Sequence, residues 1–169
     1  VTRSSVPGPP ASVALLLAQV GRSVGKSFHT CLGPLDLEPR QYLLLRTVGA
    51  CRDQSQQAVG ASLQIPPSRM VVLVDGLEER SLLERVPNPA DRRAHALRLT
   101  ATGRRLVERA ASVVVAHEAA VCEPLDAAER TVLLGLLERI VAHRHLAPQD
   151  PAATPDPATP DLATRPGCG

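Results

Sequence analysis

Apolar residues first recur along this chain at three- and four-residue steps, at Val13, Leu16, Leu17, Val20, Val24, Phe28 and Cys31. That spacing puts side chains on one face of an α-helix and predicts a first helix closed by Gly33-Pro34. A second helix is expected near Glu38-Pro39, because proline suits a first turn whose N–H groups have no intrahelical acceptor. Tyr42, Leu45 and Val48 form its inward stripe, and it stops between Gly49 and Asp53. Ser55 is placed to cap a short third helix that turns Val59 and Leu63 inward. Ile65-Pro66-Pro67 breaks it, and Pro67 opens a fourth helix with Met70, Val71, Val74 and Leu77 as apolar positions. Two short helices joined by a tight turn make a helix-turn-helix.

After Ser81 the period drops to about two, over Leu83 to Val86 and again at His95, Leu97 and Leu99. The Pro-rich, charged stretch between them predicts a hairpin, or wing. Thr100 can cap a fifth helix carrying Leu106, Ala110, Val113, His117 and Val121 and ending near Pro124. Asp126-Ala127-Ala128-Glu129 reads as a capping box opening a sixth, with Val132, Leu133, Leu136, Leu137, Ile140 and Val141 as its stripe. Residues 1–10, rich in Pro, Ser and Gly, are expected to form a flexible arm. Residues 147–169 repeat Pro, Ala, Thr and Asp and are expected to be a disordered tail, because almost nothing there offsets the entropy of ordering. The fold expected is mainly α, with a winged helix-turn-helix over 35–100.

Composition narrows this picture. The 169 residues suit one globular unit with tails. Hydrophobic residues make up 44% of the chain but aromatics only 1%, so the core must come from Leu, Val and Ala, which favours packed helices. The net charge of +2 is too small to mark a non-specific polyanion binder. Cys31, Cys51, Cys122 and Cys168 are scattered without a CxxC pair, and no signal peptide or membrane-length apolar run is evident. A reducing cytoplasm is the expected setting, with no membrane partner. Gly-rich phosphate loops, HExxH, GxSxG and paired-carboxylate motifs are absent, so no enzyme, cofactor or metal site is expected.

The fourth helix collects Ser68, Arg69, Val72, Asp75, Gly76 and Glu79 on its non-core face. A helix entering a major groove presents its N-terminal side chains to base edges, where Arg69 could pair bidentately with guanine. Val72 either meets thymine methyls or packs at the helix edge. Arg92 and Arg93 at the wing tip, with Asp91 to orient one of them, could enter a minor groove or follow phosphates.

Ser55-Gln56, Leu63-x-Ile65-x-Pro67-Ser68, Leu73-Val74-Asp75-x-Leu77-Glu78, Leu83-x-Arg85, Asp91-Arg92-Arg93 and Leu97-x-Leu99-Thr100-x-x-Gly103 follow in order. In that spacing they resemble the signature of the MarR family of winged-helix regulators. The resemblance covers roughly Ala11 to Leu146. It implies a homodimer formed by helices in 11–34 and 101–146. It also implies double-stranded DNA, as a pseudo-palindromic operator, for a partner, and repression relieved by a small aromatic or lipophilic effector. The DNA-contacting set would be Ser55, Gln56, Pro67, Ser68, Arg69, Val72, Asp91, Arg92 and Arg93. Ala58, Pro66 and Ser81 depart from the family pattern, and Ser81 is expected to take a left-handed cap geometry that glycine adopts without strain.

For an effector, Phe28, His29, Tyr42, Arg46 and His117 are the candidates with ring or charge character, core packing being the other account of Phe28 and Tyr42. An architectural DNA-binding protein and a thiol- or metal-responsive regulator of the same fold are the alternatives. Cys31 and Cys51 fall near helix C-termini, where the dipole disfavours a thiolate. The hydroperoxide-sensing branch of the family has its reactive cysteine early in the first helix, where this chain has Leu15 to Leu17. His29 with Cys31, and His117 and Glu118 with Cys122, are poorly spaced for one metal ion.

Overall fold

The computed structural model describes residues 12–51, 54–87 and 95–144. The chain runs α1 (Val13–Leu32), a 3-10 turn (Gly33–Leu35), α2 (Pro39–Ala50), α3 (Gln56–Ser62), α4 (Pro67–Glu79), β1 (Leu83–Pro87), β2 (His95–Leu99), α5 (Ala101–Val121) and α6 (Ala127–His143). The boundaries follow the expected caps. Ser55 Oγ accepts the Ala58 N–H at 3.1 Å. Asp126 and Glu129 exchange reciprocal bonds, each 2.9 Å, to close a capping box. Pro39 and Pro67 each occupy a first helical turn.

β1 and β2 pair antiparallel, with Leu83 opposite Leu99 and Arg85 opposite Leu97. A bridge from Ser55 to Ala96, and a 3.1 Å bond from the Leu97 N–H to the Gln54 carbonyl, pin the start of α3 to β2. Hairpin periodicity alone did not predict this tie. One core joins Leu32, Leu44, Leu45, Val59, Met70, Val74, Leu77, Leu83 and Leu97, all essentially solvent-free. Burying each such side chain contributes about 1.5–3 kcal/mol before entropy is charged against it.

Val71 does not join this core. It is exposed, because Met70, Val74 and Leu77 already complete the inward stripe of α4 and residue 71 is rotated about 100° from Met70. The core reaches only the C-terminal half of α1, at Phe28 and Leu32, and the N-terminal half of α5, at Leu106 and Ala110. Leu16, Leu17 and Val20 on α1, and Leu133, Leu136 and Ile140 on α6, lie exposed in the single chain. An open apolar groove of about 900 Å³ runs between α1 and α6, walled by Leu17, Leu133, Leu136, Leu137 and Ile140. Among the described residues no helix is long and apolar enough to cross a membrane.

Candidate nucleic-acid interface

The first turn of α4 stands clear of the core. Pro67, Ser68, Arg69 and Val72 are exposed, while Met70 and Val74 anchor the opposite face. Val72 is 72% exposed, so packing at the helix edge does not account for it. Asp75 and Glu79 continue the exposed face toward the helix end. At about 1.5 Å per residue, α4 is about 20 Å long, and an α-helix is of a width that a major groove admits.

Ser55 and Gln56 sit beside this helix at the start of α3, and both have structural duties. The Ser55 hydroxyl oxygen caps α3, which leaves its O–H free to donate. Gln56 Oε1 accepts from Arg85 Nε at 3.0 Å. Arg85 Nη2 reaches Asp75 Oδ1 at 2.6 Å, and Nη1 meets Glu78 Oε2. Glu78 Oε1 also accepts the Arg85 backbone N–H at 2.9 Å. One guanidinium thus fastens β1 to α4 and to the start of α3. The Leu83-x-Arg85 spacing by itself assigns Arg85 no role. The available signal was the i, i+3 pair Asp75 and Glu78, which share one side of α4.

At the other end of α4, Arg80 donates to the Asp36 and Gln41 side chains and to the Asp36 carbonyl. Ser81 has φ +54°, the left-handed geometry expected of it. Asp91, Arg92 and Arg93 lie outside the described residues, as do the arm over 1–10, the tail over 147–169 and Cys168.

Of the effector candidates, three converge. Phe28 and Tyr42 meet edge-to-face with centroids 6.1 Å apart, and the Phe28 and His117 rings lie 5.4 Å apart. His117 Nε2 also bonds Ser27 Oγ at 2.8 Å, joining α5 to α1 across ninety residues of sequence. Phe28 and Tyr42 are buried in the core, whereas His117 is half-buried. His29 instead pairs with Glu38 at 3.0 Å, and Arg46 is exposed on α2. None of the five lines the α1–α6 groove.

Burial pushes the Cys31 thiol up. Desolvation, followed by the hydrogen bond and charge of Glu118, pushes Cys122 up. Among the described residues no group of three His, Cys, Asp or Glu is placed to hold a metal ion.

The same fold recurs in known proteins. Residues 35–94 match a family model described as MarR family. The chain is 31% identical over 102 residues to a putative transcriptional regulatory protein for the hcr operon of Thauera aromatica, covering 60% of this chain and 61% of that protein. It therefore spans about three fifths of that relative's length. The transcriptional repressor CouR bound to a 23-mer DNA duplex superposes with a TM-score of 0.72 at 32% identity, over 77% of this chain and 92% of CouR. CouR from Rhodococcus jostii RHA1 bound to p-coumaroyl-CoA gives 0.70 at 30% identity, over 80% and 95% of the two chains. With such identity sustained across nearly all of a solved relative, and the family match centred on the helix-turn-helix and wing, this chain belongs to the MarR family.

Proposed function

We propose that this chain is a homodimeric, sequence-specific DNA-binding transcriptional repressor, released from its operator by a small aromatic or lipophilic effector. The carrying observation is the exposed first turn of α4, with Ser68, Arg69 and Val72 facing away from the core, on a helix tied to β1 through Arg85 in a fold that superposes on DNA-bound CouR. Arg69 is the base reader and Val72 the thymine-methyl contact. Ser55, Gln56 and Ser68 donate to the DNA backbone and Pro67 packs against it, while Arg92 and Arg93, between β1 and β2 in sequence, hold a groove or phosphates with Asp91 orienting one of them. Residues 35–100 form the DNA-binding region, and 11–34 with 101–146 the dimerisation region, where a second copy covers the apolar faces of α1 and α6. No catalytic role is assigned to any residue, and the working compartment is the cytoplasm.

The effector reading rests on the ring contacts from His117 through Phe28 to Tyr42, which run from α5 through α1 into α2. A ligand displacing one ring would act on the dimer and DNA-binding regions together, and only by its preference for one of the two arrangements. The p-coumaroyl-CoA held by CouR supports an aromatic effector class.

Enrichment of bound duplexes from a random-sequence pool tests the proposal. A pseudo-palindrome with half-sites about one helical turn apart should emerge and survive competition by random DNA. Equal affinity for enriched and random duplex at matched salt would instead mark an architectural protein.

A further inference from the structure

We infer that Arg85 is a positioning residue for DNA: it offsets two carboxylates on the recognition helix and turns Gln56 outward as a hydrogen-bond donor. This rests on the DNA-binding reading above. The guanidinium is wholly a donor and stays protonated, so Gln56 must offer it oxygen and not its NH₂. Oε1 does face Arg85 Nε, at 3.0 Å. Nε2 then occupies the other branch of the amide, directed away from the guanidinium with two N–H groups to give. A glutamine reading adenine needs donor and acceptor side by side against the base edge. With Oε1 turned to Arg85, Gln56 suits an acceptor instead, and a phosphate oxygen near the first turn of α3 fits that requirement.

Asp75 is half-exposed on the face of α4 that carries Ser68, Arg69 and Val72, with Glu78 one turn on. Two bare carboxylates there would repel a polyanion over a screening length of about 10 Å at 0.1 M salt. Arg85, at 23% exposure, is held in place by both and by Gln56, and reduces the cluster from two negative charges to one.

The full-length chain is titrated at 0.1 M salt with an enriched duplex and with an unrelated duplex of equal length. Arg85→Gln should weaken both by about tenfold or more, since the added repulsion is independent of sequence. Adding Asp75→Asn and Glu78→Gln to that variant should bring the unrelated duplex back to within about threefold of the parent. Asp75→Asn alone should tighten binding to the unrelated duplex, whereas loss of a purely structural tie would weaken it. This variant decides the matter if Arg85→Gln folds poorly. Gln56→Leu should lower affinity evenly across sequences, with no altered preference at any adenine. Parent-like binding by Arg85→Gln, a triple variant no tighter than Arg85→Gln, or weakening by Asp75→Asn overturns the inference. So does a changed adenine preference in Gln56→Leu. A parent chain that binds neither duplex overturns the DNA-binding reading itself.

Discussion

The hydroxyl of Thr100 donates to the Ser81 carbonyl at 2.7 Å while accepting the Gly103 N–H at 3.0 Å. One side chain thereby ties the segment after α4 to the start of α5. Gly103 completes the joint, since a Cβ there would lie 1.9 Å from the Leu82 carbonyl oxygen. That oxygen is backbone and cannot swing aside. Thr100→Val should cost about 1–2 kcal/mol through loss of the cap. Gly103→Ala should cost about 3 kcal/mol or more through forced backbone displacement. Urea unfolding measures both, and Thr100→Ser should retain most of the parent stability.

Ser81 itself sits at φ +54°. A left-handed residue with a Cβ costs about 1–2 kcal/mol, and glycine's extra unfolded-state entropy returns about 0.5–1 kcal/mol of that. Ser81→Gly should therefore stabilise the chain by about 0.5–1 kcal/mol, with the unfolding midpoint moving up. A midpoint that falls would show that the Ser81 side chain contributes more than its geometry costs.

Arg69→Ala should weaken operator binding and relax preference at one base position, by about 1–3 kcal/mol of discrimination. Arg93→Ala should weaken binding with little change in preference, as expected of a phosphate or groove contact. Quantitative footprinting on operator variants separates the two. If both variants footprint like the parent, the assignment of the interface is wrong.

Leu136 lines the open groove between α1 and α6. Leu136→Glu places a carboxylate where the second copy is proposed to bury apolar surface, and an unpaired buried charge costs several kcal/mol. Sedimentation should then find monomer at concentrations where the parent is dimeric. Operator affinity should fall with it, since each half-site would have to be bound alone.

The Cys31 and Cys122 thiols are pushed up, by burial and, for Cys122, also by Glu118. Less thiolate is present at pH 7.5 than in an ordinary thiol, so iodoacetamide should label both slowly and speed up as pH rises. In the unfolded chain these thiols lose their protons earlier, so their contribution to stability declines as pH rises above the usual thiol value. Hydrogen peroxide at neutral pH should leave operator binding unchanged. Rapid oxidation of Cys31 or Cys122 with loss of binding would restore the thiol-responsive alternative.

The helices were legible in the linear chain because their determinants are local. Ser55, Thr100 and Asp126 cap backbone N–H groups a few residues away, prolines open α2 and α4, and the apolar period distinguishes helix from hairpin. The exposed face of α4 followed from the same period, apart from Val71, because the strength of a stripe does not fix its width. The joining of distant residues was not legible. Arg85 meets Gln56 from twenty-nine positions away, and Ser27 meets His117 from ninety. Gly103 is required by the Leu82 carbonyl, which approaches from a different element. Such contacts depend on how elements pack, and periodicity and capping carry no information about that. Local chemistry in the sequence determined which helices form and where they end; tertiary packing decided which polar groups are committed to each other and which remain to meet a partner.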